Sequence, residues 1–154
     1  MHIKFYLLAF ALVLAGCALT ATDPDAAKGK VPSREQLIHH HYNLDMVDGV
    51  KLSDMLGQQL ETGKRPDIEF QEGFRLAGIA GCNRFMGQGK LDQGALSMAP
   101  GPSTRMACIG ELSKVEQTVF TVLHDGAQIR IKDQQLILLH QDHTLVYQLA
   151  DYVY

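Results

Sequence analysis

Apolar residues recur at helical spacing in one stretch: Leu112, Val115, Val119, Val122 and Leu123 fall on one face, with Phe120 beside them. Asp125-Gly126 ends that helix after about four turns. Much of the rest alternates with period two, so the chain must bury one face of a sheet against a single helix. Tyr42, Leu44 and Met46 alternate up to the Asp48-Gly49 turn, and Ile68 and Phe70 up to Glu72-Gly73. Phe74 to Ile79 reads as the partner strand of that second turn. Lys90-Leu91 and Ala95 to Met98 flank Asp92-Gln93-Gly94 as another hairpin. Pro100-Gly101-Pro102 stops the strand, and Ser103 to Cys108 reads as a loop. After the helix come strands Gln128 to Lys132, Gln135 to His140 and Thr144 to Leu149, with Asp133-Gln134 and Gln141-Asp142-His143 as the turns between them. Val50 to Leu60 fits a short helical turn or loop as well as a strand. The expected class is α+β, an antiparallel sheet with one main helix packed on its concave face.

The N-terminus reads differently. Phe5 to Leu14 is an unbroken apolar run behind Lys4, too short to span a bilayer but suited to a signal peptide. Leu14-Ala15-Gly16-Cys17 resembles the bacterial lipobox, which makes the Cys17 thiol the expected site of lipidation. Ala18 follows the cysteine, a pattern that resembles export to the outer membrane. Residues 1–16 are therefore expected as a lipoprotein signal peptide, 17–36 as lipidated cysteine and flexible tether, and 37–154 as one domain. The small, polar stretch Ala18 to Pro32 spans at most about 50 Å fully extended.

Composition bounds the function. Lys and Arg number 14 against 17 Asp and Glu, a formal charge of −3, which speaks against nucleic acid as a partner. The membrane is expected as a partner through the anchor alone.

Two blocks carry a family resemblance. Gly78 to Gly87 reads GIAGCNRFMG and Ser103 to Cys108 reads STRMAC, with Glu116 on the helix that follows. The succession resembles the META domain family of HslJ-like heat-shock lipoproteins. The residues that match are Gly78, Gly81, Cys82, Asn83, Phe85, Gly87, Thr104, Met106, Ala107, Cys108 and Glu116. The resemblance covers about residues 40 to 150. Tyr42 stands where the family usually has Trp, and an aromatic that often follows the first block is missing at Gln88 and Gly89. The resemblance implies a β-rich half-barrel with a helix across it, and an envelope protein linked to stress or antibiotic tolerance. It implies no catalytic activity and no cofactor. A hydrophobic ligand or an envelope protein is the expected partner, which leaves a lipid carrier or sensor and a protein-binding adaptor as rival readings.

The remaining chemistry reads mostly as structural. Cys82 and Cys108 commonly pair in an oxidising periplasm; two buried thiols and a redox pair are the alternatives, and no C-x-x-C supports the last. In the chain-entropy model such a bridge contributes about 3.5 kcal/mol. Gly78, Gly81, Gly87 and Gly89 read as backbone devices, since no Lys-Ser/Thr follows to make a phosphate loop. Asn83 can bond its own backbone in a turn. His39-His40-His41, His140 and His143 invite a metal, but consecutive residues on a strand point to opposite faces, and no specific metal site is expected. Ser103 lacks the context of a catalytic nucleophile. Glu116 reads as structural, a candidate to bond the loop around Thr104. Met46, Met55, Met86, Met98 and Met106 read mainly as core.

Overall fold

The computed structural model describes residues 28–57, 59–60 and 65–152, so Cys17 and the expected signal peptide lie outside the described residues. The elements are β1 (His40–Val47), β2 (Val50–Lys51), α1 (Leu52–Leu56), β3 (Asp67–Gln71), β4 (Arg75–Ile79), β5 (Arg84–Asp92), β6 (Ala95–Met98), α2 (Glu111–Asp125), β7 (Ala127–Lys132), β8 (Gln135–Leu139) and β9 (Thr144–Tyr152). From β3 to β9 each strand pairs antiparallel with the next, and β3 pairs with β1. The ladder does not stop at its ends. β1 also pairs with β9, through Tyr42 opposite Leu149, Leu44 opposite Tyr147 and Val47 opposite Leu145. Eight strands thus close into a barrel, and β2 folds back beside the end of β1.

This closure corrects the expected half-barrel packed around a main helix. A half-barrel leaves two edge strands with unpaired backbone groups, whereas here those edges satisfy each other. The closing ladder tolerates register shifts between His41 and Tyr42 and between Leu44 and Met46, which bend β1 around the barrel. β9 also runs to Tyr152, beyond the expected Leu149. The single long helix is present where its periodicity puts it. It sits in the connection between β6 and β7 and packs along β6, with α1 also in contact.

One apolar cluster fills the interior. Inward residues come from every barrel strand, among them Leu44, Ile68, Leu76, Leu96, Ile129 and Leu145, and the helix adds Val115, Val119, Val122 and Leu123. Tyr42, in place of the family's Trp, is buried with its edge toward Phe70, ring centroids 6.1 Å apart, and Phe70 in turn meets Phe74 at 5.9 Å. Along β5 the buried positions are Phe85, Gly87 and Gly89, alternating with exposed neighbours. A side chain at Gly89 would strike Phe74, and one at Gly87 would strike Met98. These glycines make room for large rings and chains arriving from neighbouring segments. Gln88 faces outward, and its amide donates to the Gly73 and Phe74 carbonyls at 3.1 and 3.2 Å. That bond braces a turn in which Phe74 takes the left-handed φ of 59°.

Tyr147 is the exception in this interior. It is fully buried, and its hydroxyl has no hydrogen-bond partner among the described residues. Burial, and secondarily the charge of Asp67, push its phenol pKa upward. A buried hydroxyl without a partner costs about 1–3 kcal/mol. Tyr147→Phe is therefore expected to raise stability by about 1 kcal/mol, read as a higher urea midpoint at unchanged slope. A lowered midpoint would mean that the hydroxyl is bonded in solution.

Candidate functional site

The two sequence blocks meet at one end of β5. The turn between β4 and β5 holds Gly81, Cys82 and Asn83, and the segment after β6 returns alongside β5. Met86 donates its N–H to the Pro102 carbonyl at 3.0 Å, and Thr104 donates to the Arg84 carbonyl at 3.0 Å. The segment from Ala99 to Thr104 thereby covers the part of β5 that β6 is too short to reach.

Asn83, 5% exposed, is the one buried polar residue among those described. Its side-chain oxygen accepts from the Thr104 hydroxyl at 2.9 Å and the Met106 N–H at 2.7 Å. Its amide nitrogen donates to the Met106 carbonyl at 3.1 Å and to Glu116 Oε1 at 2.9 Å. Two donors and two acceptor positions are thus all used. Glu116 Oε2 accepts the backbone N–H groups of Cys82 and Asn83, at 2.9 and 2.8 Å. A carboxylate makes these bonds stronger than a neutral acceptor could. Gly81 lets the helix come this close, because a Cβ there would run into the Leu112 carbonyl and Glu116. Cys82 and Cys108 form a disulfide with Cα atoms 5.6 Å apart.

These contacts revise two sequence readings. Asn83 bonds across to the second block through its side chain, not to its own turn. Glu116 grips residues 82 and 83, and Asn83 relays the hold to Thr104 and Met106. Gly78 and Gly87 serve close backbone approach, Phe85 packs edge-on against Phe120 at 5.9 Å, and Ala107 lies exposed in the loop.

Other candidates do not converge. His39 faces Glu72 at 3.3 Å, His41 bonds Asp67 at 2.9 Å, and His40 meets the Ile38 carbonyl at 3.1 Å. His143 bonds Asp48 at 2.9 Å and stacks on His140. Cys82, Cys108 and Glu116 form the only group of potential metal ligands among the described residues. Its sulfurs are bonded to each other, and its carboxylate oxygens already receive three N–H donors. Ser103 bridges to Phe85 through its backbone.

The sequence reading missed what the network displays. Met106 is held by Asn83 at both its N–H and its carbonyl, yet the residue is 59% exposed; Ile109, one residue past the disulfide, is 75% exposed. Met86, also exposed, lines a neighbouring groove of about 330 Å³ with Phe85, Met98, Pro100, Gly101 and Phe120. The one available signal was position: Met106 and Ile109 lie in a loop with no alternation, after a Pro-Gly-Pro stop.

Comparison with known proteins agrees with this geometry. The family model described as META domain matches residues 35–152. Heat shock protein HslJ of Escherichia coli (strain K12) is 34% identical over 144 residues, 93% of this chain and 92% of its own length. A protein structure solved by NMR is 35% identical, with a TM-score of 0.65, covering 78% of this chain and 97% of its own. Another NMR structure, from Burkholderia xenovorans, shares the fold at 22% identity and a TM-score of 0.62, covering 92% and 99%.

Asn83 and Glu116 act as one unit, so their removal should not be additive. Asn83→Ala and Glu116→Ala are each expected to cost about 2–3 kcal/mol. The double variant should cost less than the sum by about 1 kcal/mol or more in a denaturation cycle. Additive losses would show two independent contacts.

Proposed function

The chain belongs to the META domain family, and on that footing we propose that it is a non-catalytic lipoprotein of the outer membrane that supports envelope integrity under heat or antibiotic stress. It is HslJ-like, and the Escherichia coli relative is named a heat shock protein. The observation that carries a binding role over catalysis is the use made of the motif. The polar groups of Asn83 are all engaged within the protein, and both Glu116 oxygens are occupied, while Met106 and Ile109 are presented to solvent. A site built for chemistry keeps polar groups open toward a substrate. A site built for association presents apolar side chains on a fixed backbone.

Anchoring rests on the leader and on Cys17. Cys17→Ala is expected to move the protein from the outer-membrane fraction to a soluble or unprocessed form. In a deletion strain it should fail to restore survival of heat or antibiotic challenge, whereas the wild-type chain restores it. Full complementation by Cys17→Ala would overturn the anchored reading.

The groove of Phe85, Met86, Met98 and Phe120 supports a second reading, a hydrophobic ligand held at the barrel wall. Its largely apolar lining suits an acyl chain. Native mass spectrometry of residues 18–154, made in the periplasm, should then show a discrete adduct that Met86→Asp abolishes. A bare chain would sink this reading and leave protein partners.

A further inference from the structure

We propose that the end of the barrel where the chain enters it is a docking face for anionic phospholipid headgroups. The proposal rests on the reading of Cys17 as a lipid anchor. Lys30 pairs with Ile131 through two backbone bonds of 2.8 Å, which fixes the incoming chain against β7. Val31 packs toward Gly94 at the tip of the β5–β6 hairpin. Around this junction lies a concavity of about 440 Å³, whose lining includes Lys28, Lys30, Lys132 and Gln36. Asp133 is the acidic residue of the lining. A chain with a net charge of −3 thus gathers three of its eight lysines where it leaves for the anchor. Lys28 and Lys132 have partners within the protein, but an ammonium carries three donors and can also reach a phosphate.

Position makes this charge effective. Ten residues, Ala18 to Ala27, separate Cys17 from Lys28. Ten residues reach at most about 36 Å. The bilayer is therefore at high effective concentration for this face, and few charges suffice. Each lysine near an anionic surface favours docking about fivefold. Asp133, with Asp23 and Asp25 of the tether, opposes part of that gain. Met106 and Ile109 lie by the β4–β5 turn, at the other end of β5 from Gly94 and Val31. Docking through the lysines turns that apolar loop away from the bilayer, free for a partner.

Lysine acylation read by mass spectrometry tests this. Residues 28–152 contain the whole closed barrel, so a chain from Cys17 to Tyr154 keeps the fold. With Cys82 and Cys108 paired, Cys17 is its free thiol and can be coupled to a maleimide lipid. On phosphatidylglycerol vesicles, Lys28, Lys30 and Lys132 should react about fivefold more slowly than on phosphatidylcholine vesicles. Lys51 and Lys114, exposed on β2 and α2 away from this end, should be unchanged, and high salt should remove the difference. Peptic amide exchange around residues 131–133 should slow on phosphatidylglycerol for the coupled wild-type chain, and coupled Lys28→Gln/Lys30→Gln/Lys132→Gln, checked for an unchanged melt, should give the same pattern on both lipids. Equal lysine rates on both lipids, or equal slowing at Lys51 and Lys114, would overturn the proposal. Because coupling is chemical, the outcome does not depend on acylation in the cell, which fractionation of Cys17→Ala tests separately.

Discussion

The pairing of β1 with β9 is the contact on which the rest of the molecule depends. Without it, seven consecutive antiparallel ladders would make a curved sheet with two raw edges and an open apolar face. With it, inward side chains from eight strands share one closed core. The helix can then serve the fold by packing along β6 and contributing one apolar face to that core. Register shifts in β1 let one strand of eight residues meet β9, β3 and β2 together.

Around that barrel, rigidity is concentrated at the β4–β5 turn. The disulfide ties Cys82 to Cys108, and between those points Asn83 holds Thr104 and Met106 while Glu116 holds Asn83. A loop that is otherwise solvent-exposed thereby keeps a fixed backbone. The polar groups are inside the arrangement and the apolar side chains outside it, the inverse of a cleft. Ordering that would otherwise accompany binding has already taken place.

Much of this was legible locally. Turns at Asp48-Gly49, Asp92-Gln93-Gly94 and Asp133-Gln134, and the helix ending at Asp125-Gly126, follow from residue type and periodicity. The family blocks named the residues of the network without giving its wiring. Closure was not legible, because pairing Tyr42 with Leu149 is a relation between distant segments, and the bulges blur the alternation of β1. The exposure of Met106 was hidden by its type, since methionine reads as core until its backbone is seen to be held at the surface. The missing partner of Tyr147 leaves no trace in the pattern at all.

The barrel's seam joins the first long strand to the last. A chain delivered N-terminus first, from a ribosome or through a pore, has every other strand before it has Thr144–Tyr152. Until that final segment emerges, β1 has no partner on one side and the core cannot seal. Such a topology is slow to complete and keeps its edges exposed while it waits. The delay also keeps the nascent chain threadable, so the arrival of Thr144–Tyr152 decides when the protein stops being a passenger and becomes a fold.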